Sequence, residues 1–350
     1  MNAMSKQKVI LGSAALAAAA TAAGVGLGMA VWRSTRKMSF RGKVVLITGG
    51  SRGLGLALAH EFAQQGARLM LCARDADELA AARRDLETPG VEVSTMVCDV
   101  TDRRQVSELI DSTLRKYGQI DALVNNAGQI QVGPIDAMTI EDFENAMNVM
   151  FWGPVYTTLA VAPHMRERRA GRIVNITSVG AKVSVPHLIP YSCAKFAAAA
   201  FSEGMRAEFQ GSGVKVVTIA PGLMRTGSHL NALFKGSENG EAAWFSLGAS
   251  MPGLSMSAEQ AAQQIVEAAA KGKAERILSL PANFLSQFHG LFPGATADLL
   301  GLVNRVLPHG TKRTSTRGAD TRVLNSAWLQ ALTILGKRAA ERYLQPGAAH

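Results

Sequence analysis

Cysteine is scarce in this chain. Cys72, Cys98 and Cys193 are the only three in 350 residues, too few and too scattered for the disulfide framework that holds small secreted domains together. Cys193 lies beside Tyr191 and Lys195, yet nothing in the sequence around it marks it as a nucleophile. Also missing is any internal repeat or long low-complexity linker between residues 43 and 280, which argues for a single domain over that stretch. The net charge is +10, yet no nucleic-acid reader motif accompanies it. The surplus sits at the ends: residues 1–43 carry seven Lys or Arg and no acid, and residues 301–350 carry eight against two acids. The middle of the chain is mildly acidic, and basic ends beside apolar segments suit an anionic membrane surface better than nucleic acid.

Charge is absent altogether from Val9 to Trp32. Those 24 residues, as a helix rising 1.5 Å per residue, would span about 36 Å, enough for a hydrocarbon core of about 30 Å. A membrane anchor is expected here, with a cleaved signal peptide as its rival. Lys6 and Lys8 precede the segment, and Arg33, Arg36, Lys37, Arg41 and Lys43 follow it. The positive-inside tendency then leaves the rest of the chain facing the cytoplasm.

What the sequence does have is a pair of chemical constellations. Tyr191 and Lys195 lie four residues apart in an alanine-rich stretch; if that stretch is helical, both fall on one face. An ammonium within about 4 to 6 Å stabilises phenolate and shifts a pKa by about 1 to 3 units, making the phenol fit to exchange a proton with a carbonyl or alcohol oxygen. Ser178 stands thirteen residues upstream of the tyrosine, at the end of an apolar run. Thr177 competes with it, but alternation along a strand puts the two on opposite faces, and the spacing favours Ser178. The second constellation is Thr48-Gly49-Gly50-Ser51-Arg52-Gly53-Leu54-Gly55. It follows the apolar run Val44–Ile47 and precedes a helical pattern, so strand, glycine turn and helix come in the order that brings backbone against a pyrophosphate.

Helical and strand patterns alternate from Lys43 to Leu280, with strands expected near 43–48, 68–73, 91–97, 120–124, 171–177, 213–220 and 276–280. Their apolar runs suit a parallel sheet covered on both faces, that is, an α/β Rossmann-like doubly wound domain. The expected division is an N-terminal tail and anchor at 1–40, a catalytic domain at 41–281 and a helical, basic extension at 282–350.

Together these motifs resemble the short-chain dehydrogenase/reductase family over roughly Phe40 to Leu280. On that resemblance Gly49, Ser51, Arg52, Gly53, Leu54 and Gly55 belong to the cofactor loop, Asp99 and Val100 to the adenine-side turn, and Asn125, Ala127 and Gly128 to the segment ending the fourth strand. Pro221, Gly222 and Thr226 match the loop over the nicotinamide, and Asn148, Ser178, Tyr191 and Lys195 match the catalytic tetrad. The resemblance implies that Tyr191 acts as acid/base, that Ser178 hydrogen-bonds the reacting oxygen, that Lys195 also binds the nicotinamide ribose and that Asn148 holds a water leading from Lys195 to solvent. It calls for no metal, and it implies a dimer or tetramer built on helices near 102–117 and 139–168.

Cofactor choice follows from charge. An acid at the end of the second strand binds a ribose 2′-hydroxyl, whereas an arginine there accommodates a 2′-phosphate. Arg74 holds that position, Arg52 in the glycine loop can grip the same phosphate, and Asp75 fits better as the cap of the next helix, so NADP(H) is expected. Leu230, Leu233, Phe234, Trp244, Phe245 and Leu247 supply an apolar surface where the family often has a mobile flap; it covers a hydrophobic ligand or forms core. His187 either touches substrate or is solvated. Beyond the last strand, Phe284, Leu285, Phe288, Leu291 and Phe292 repeat at helical spacing, as do Leu299, Leu300, Val303, Val306 and Leu307. These stripes either pack on the domain or lie in a membrane interface. A last amphipathic helix is expected at Ala327–Leu344. The leading expectation is a membrane-anchored oxidoreductase acting on a lipophilic ketone or secondary alcohol of the kind met in lipid metabolism. The alternative is an NADPH-binding sensor without turnover.

Overall fold

A computed structural model of the chain describes residues 37–324 and 326–345. The anchor expected at Val9–Trp32 lies outside the described residues; among those described, no helix is long and apolar enough to cross a membrane.

Seven strands form one parallel sheet: β1 (Val44–Thr48), β2 (Arg68–Ala73), β3 (Val93–Val97), β4 (Ala122–Asn125), β6 (Gly171–Ile176), β7 (Val214–Ala220) and β11 (Glu275–Ile277), in the order β11-β7-β6-β4-β1-β2-β3. Each falls within a residue or two of the run expected for it, except that the last is shorter and sits earlier. Successive side chains feed opposite faces, as a period of two requires. Val45, Ile47, Leu69, Leu71, Val124 and Val217 meet α1 (Gly53–Gln64), α2 (Ala76–Leu86) and α8 (Ala258–Lys271) on one side. Val44, Leu46, Met70, Leu123, Ile173 and Val216 meet α3 (Arg103–Tyr117) and α5 (Gly153–Glu167) on the other. Both faces are dry, which is why these strands read as continuous apolar runs.

The turn between β1 and α1 is fixed by glycine. Gly49 and Gly53 take positive φ of 62° and 56°, where a side chain is strained. A Cβ on Gly55 would stand 2.0 Å from the Gly49 carbonyl oxygen, so the first turn of α1 packs directly on the end of β1. The chain order reverses between β1 and β4, and ligands of such sheets bind in the crevice that opens there, at the carboxyl ends of the strands.

After β7 the chain leaves the sheet and builds a small lobe. β8 (Met224–Arg225) pairs with β10 (Met256–Ser257), while β5 (Gln131–Val132), β9 (Leu233–Phe234) and β12 (Thr316–Arg317) form a three-stranded sheet. Phe234 and Phe245, the latter on α7 (Glu238–Ser250), are buried with Leu324 and Leu329. The apolar residues of the flap are thus largely core of this lobe; among the six expected there, Leu233 also lines the crevice described below. His187 is neither solvated nor at the crevice: it is buried, and its Nδ1 lies 2.8 Å from Glu241, which also accepts from Trp244.

The extension beyond the last strand is two different things. α9 (Leu280–Leu291) and α10 (Pro293–Asn304) form a helical hairpin whose Leu280, Phe284, Leu291, Phe292, Leu299 and Leu302 are exposed, so packing on the domain, one of the two expected fates of these stripes, is not what the structure shows for them. The remainder returns to the domain through β12 and then α11 (Ala327–Leu332) and α12 (Ile334–Arg342). The single terminal helix expected there is broken at Thr333, which caps both pieces.

Gly55→Ala should lower unfolding stability by about 1 to 3 kcal/mol, the usual cost of an overpacked core position. A denaturant titration showing an unchanged midpoint would contradict this account of the turn.

Candidate active site

The carboxyl ends of the strands open onto a crevice of about 550 Å³. Gly49, Ser51, Arg52, Gly53, Leu54, Gly55, Arg74, Asp99, Val100, Ala127, Gly128, Ser178, Tyr191, Lys195, Pro221, Gly222 and Thr226 all line it. Residues drawn from positions 49 to 226 therefore converge on one site.

Tyr191 and Lys195 stand on α6 (Ile189–Glu208), one turn apart and facing the end of β6. Lys195 is buried; its Nζ donates to the Ile176 carbonyl at 2.8 Å and lies 5.7 Å from the centre of the Tyr191 ring. Ser178 hydrogen-bonds the Tyr191 hydroxyl, and its Oγ accepts from Gly180 N at 3.0 Å. Thr177 points the other way and gives its hydroxyl proton to Ile219 O at 2.6 Å, as strand alternation requires. The electrostatics differ from expectation. Burial raises the Tyr191 pKa, opposed only by the Ser178 hydrogen bond. The Lys195 ammonium is directed at the Ile176 carbonyl rather than at the phenol oxygen. Burial brings Lys195 itself from 10.5 to about 8. The lysine is the group tuned toward neutrality.

Asn148 does not join this group. It opens a π-helical turn, Asn148–Trp152, after α4 (Ile140–Met147), and its side chain is exposed. The extra residue in that turn rotates the helix, so Met150 is the buried one, 3.6 Å from where a Cβ on Gly128 would be and packed with Ala194 and Tyr191. Such single π-turns often mark functional sites. Asn125 is corrected too. It is buried below the crevice, where its amide donates to Asn175 at 2.8 Å and its Oδ1 accepts from Thr157 at 2.7 Å. The neighbouring Asn126 reaches the glycine loop instead, donating to the carbonyls of Thr48 and Gly49 at 3.0 Å each.

At the other end of the crevice, Asp75 caps α2 by accepting from Glu78 N at 2.9 Å, as its position suggested. Arg74 is exposed in the crevice, and Arg52 pairs with Glu78 at 2.5 Å, an acid that sequence reasoning missed. Asp99 accepts from the amide and hydroxyl of Thr101 at 2.9 and 2.8 Å, which shapes the turn after β3. The N-terminus of α1 carries no acid in its first turn and no side-chain cap, which suits an anion at its dipole, although the Gly53 amide is taken by the Tyr343 carbonyl. Glycines that admit backbone, an uncapped helix start and two arginines beyond it fit a dinucleotide. The C-terminal segment, also missed, closes one side. Gln345 donates to Thr226 O at 3.0 Å and accepts from Asn231 at 2.5 Å, and Gly53 N donates to Tyr343 O at 2.9 Å. No motif near Gln345 announces this; its role comes from where α12 ends.

A parallel sheet whose reversal point carries a glycine turn, with a Ser-Tyr-Lys group opposite, defines the class of dinucleotide-dependent oxidoreductases. Comparison with known proteins agrees. The family model for short chain dehydrogenase matches residues 43–233, and the chain belongs to that family. It is 41% identical over 197 residues to a dehydrogenase/reductase SDR family protein 7-like of Anopheles gambiae, a match covering 55% of this chain and 62%, just under two thirds, of that relative. Among solved structures, a short-chain dehydrogenase from Streptomyces avermitilis superposes with a TM-score of 0.65 at 29% identity, covering 77% of this chain and 99% of that one. A gluconate 5-dehydrogenase from Burkholderia cenocepacia in complex with NADP and tartrate gives 0.63 at 28%, covering 72% and 99%.

Because Lys195 holds its proton more weakly folded than unfolded, its charge destabilises the fold below pH about 8, and that penalty is relieved as pH rises toward the unfolded value of about 10.4. Lys195→Met should therefore be more stable than wild type at pH 7, with the advantage shrinking between about pH 8 and 10. An advantage that stays constant over that range would show the lysine is not depressed.

Proposed function

We propose that this protein is an NADP(H)-dependent oxidoreductase that interconverts a lipophilic ketone and its secondary alcohol. The observation that carries the reading is the convergence of Ser178, Tyr191 and Lys195 on the same crevice as the glycine turn. When bound there, the dinucleotide supplies or accepts the hydride. In reduction, Tyr191 gives its hydroxyl proton to the carbonyl oxygen as negative charge develops on it, and Ser178 donates a hydrogen bond to that oxygen. The carbonyl carbon gains hydride, the oxygen gains the proton, and an alcohol leaves. Burial keeps Tyr191 protonated at neutral pH, the state a proton donor needs. Lys195 stands behind it as the nearest cation, positioned for the ribose and able to offset the phenolate left after transfer.

Arg52 and Arg74 favour the phosphorylated cofactor, since Asp75 is engaged as a helix cap and not free for a ribose hydroxyl. A relative of known structure holds NADP. The lipophilic substrate rests on the hairpin of α9 and α10. The hairpin exposes Phe284, Leu291, Phe292 and Leu299, and its first turn packs on the crevice-lining Gly222, where a Cβ would lie 2.8 Å from Ser279 Oγ and 3.0 Å from Ala282 Cβ. An apolar face of this size beside a site mouth suits an acyl or sterol-like substrate taken from a membrane surface. The same reading places an anchor at Val9–Trp32 and the catalytic domain on the cytoplasmic side. Exposed Trp152, at the end of the π-turn, and Leu159 on α5 support a homo-oligomer through α3 and the helices between 139 and 168.

Tyr191→Phe tests the chemistry. NADPH oxidation with a ketone should fall by about 10² to 10⁴, the usual contribution of a positioned proton donor, while NADPH affinity stays within about twofold; retained turnover would exclude Tyr191 as the acid. Replacing Phe284 and Leu291 by glutamate tests the substrate class. The double variant should lose kcat/KM on long-chain ketones far more than on short ones, and equal losses would count against a membrane-drawn substrate.

A further inference from the structure

The residues that the family model matches end at 233, yet the crevice has a wall that comes from much later in the chain. Arg317 lines it, together with Gln345. Arg317 ends β12, which pairs antiparallel with β9 so that Arg317 stands opposite Leu233, itself a lining residue. The backbone on both sides of Arg317 is tied down. The Gly318 amide donates to Ala232 O at 2.9 Å, and a Cβ on Gly318 would be 2.0 Å from the His229 carbonyl oxygen. On the other side of Arg317, Thr316 hydrogen-bonds Glu238, which Lys312 also grips at 2.7 Å.

Three guanidiniums therefore border one crevice: Arg52 from the glycine turn, Arg74 from the end of β2 and Arg317 from the C-terminal segment. Arg52 has Glu78. Neither Arg74 nor Arg317 makes an ion pair with a carboxylate among the described residues. The Arg52 pKa is lowered first by burial; Glu78 opposes this, and Arg317 and then Arg74 lower it further. The three cations thus feel one another across the gap. Like charges brought to one crevice by separate elements destabilise it when empty and stabilise an anion placed among them.

We propose that Arg317 is a phosphate-binding residue of the dinucleotide site, contributed by the C-terminal extension to the crevice that Arg52 and Arg74 also line. The proposal rests on the dinucleotide-dependent reading above and deepens it: the extension is part of the cofactor site, and its arginine joins Arg52 and Arg74 on the phosphate. Its planar fork suits two phosphate oxygens at once, which a lysine there would not match.

The test uses the full-length chain and equilibrium binding, followed by NADPH fluorescence and by calorimetry with NADPH, NADH and 2′,5′-ADP. Arg317→Ala should weaken NADPH binding by about tenfold to a hundredfold, the loss of a charge-assisted contact, and Arg317→Lys should recover only part of it. A loss for NADPH and 2′,5′-ADP with NADH unaffected assigns the 2′-phosphate; equal losses for NADPH and NADH assign the pyrophosphate, and both outcomes support the proposal. Arg313→Ala, an exposed basic change in the same segment, should leave all three ligands unaffected. Thermal unfolding without ligand separates binding from structure: Arg317→Ala should melt no lower than wild type, because removing it relieves repulsion. A wild-type chain that binds no dinucleotide overturns both this proposal and the oxidoreductase reading. A wild-type chain that binds NADPH while Arg317→Ala binds it within twofold, or an Arg317→Ala chain whose weaker binding tracks a lowered melting point, overturns this proposal alone.

Discussion

The amine of Lys195 is held in a dry place by one carbonyl, that of Ile176, at the end of the strand that also delivers Ser178. That contact ties α6 to β6 and so fixes Tyr191 against Ser178; the acid, its hydrogen-bond partner and the cation are one mechanical unit. Burial then sets their chemistry. The phenol is kept protonated and the ammonium is loosened, the opposite division from a simple picture of a lysine acidifying its neighbour. Desolvation raises the pKa of the phenol and lowers that of the ammonium, and the lysine's donor is spent on a carbonyl rather than on the phenol oxygen.

Much of this was legible in the sequence. Gly49, Gly53 and Gly55 could be read because only a residue without a side chain can make that turn, and Ser178 could be told from Thr177 by strand alternation together with its thirteen-residue spacing to Tyr191. The seven strands declared themselves as apolar runs because both faces of the sheet are covered. The failures also have physical causes. Asn125 and Asn126 differ by one residue and therefore by one face of β4, and sequence gives no register between a strand and its crevice at a strand end. Asn148 was misplaced because a π-turn inserts one residue into the helix, and the helical period that would locate it no longer holds across the turn. The apolar flap residues could not be sorted into lid and core until Leu324 and Leu329, far off in sequence, were seen against them.

The C-terminal extension was the least legible part. Its motifs suggested only helices, whereas it supplies a strand to the lobe, an arginine to the crevice and, through Gln345, a bridge between the glycine turn and the loop carrying Thr226. A family pattern that stops at 233 cannot describe that wall. The same extension begins with the hairpin of α9 and α10, whose apolar side chains are exposed.

The most direct measurement of the central claim follows a single atom. With NADPH carrying deuterium at the reactive carbon of the nicotinamide and a lipophilic ketone as acceptor, mass spectrometry of the alcohol should find one deuterium bound to the carbinol carbon and none exchanged to solvent. An alcohol free of deuterium, or NADPH recovered intact in the presence of every ketone tried, would contradict hydride transfer at this crevice.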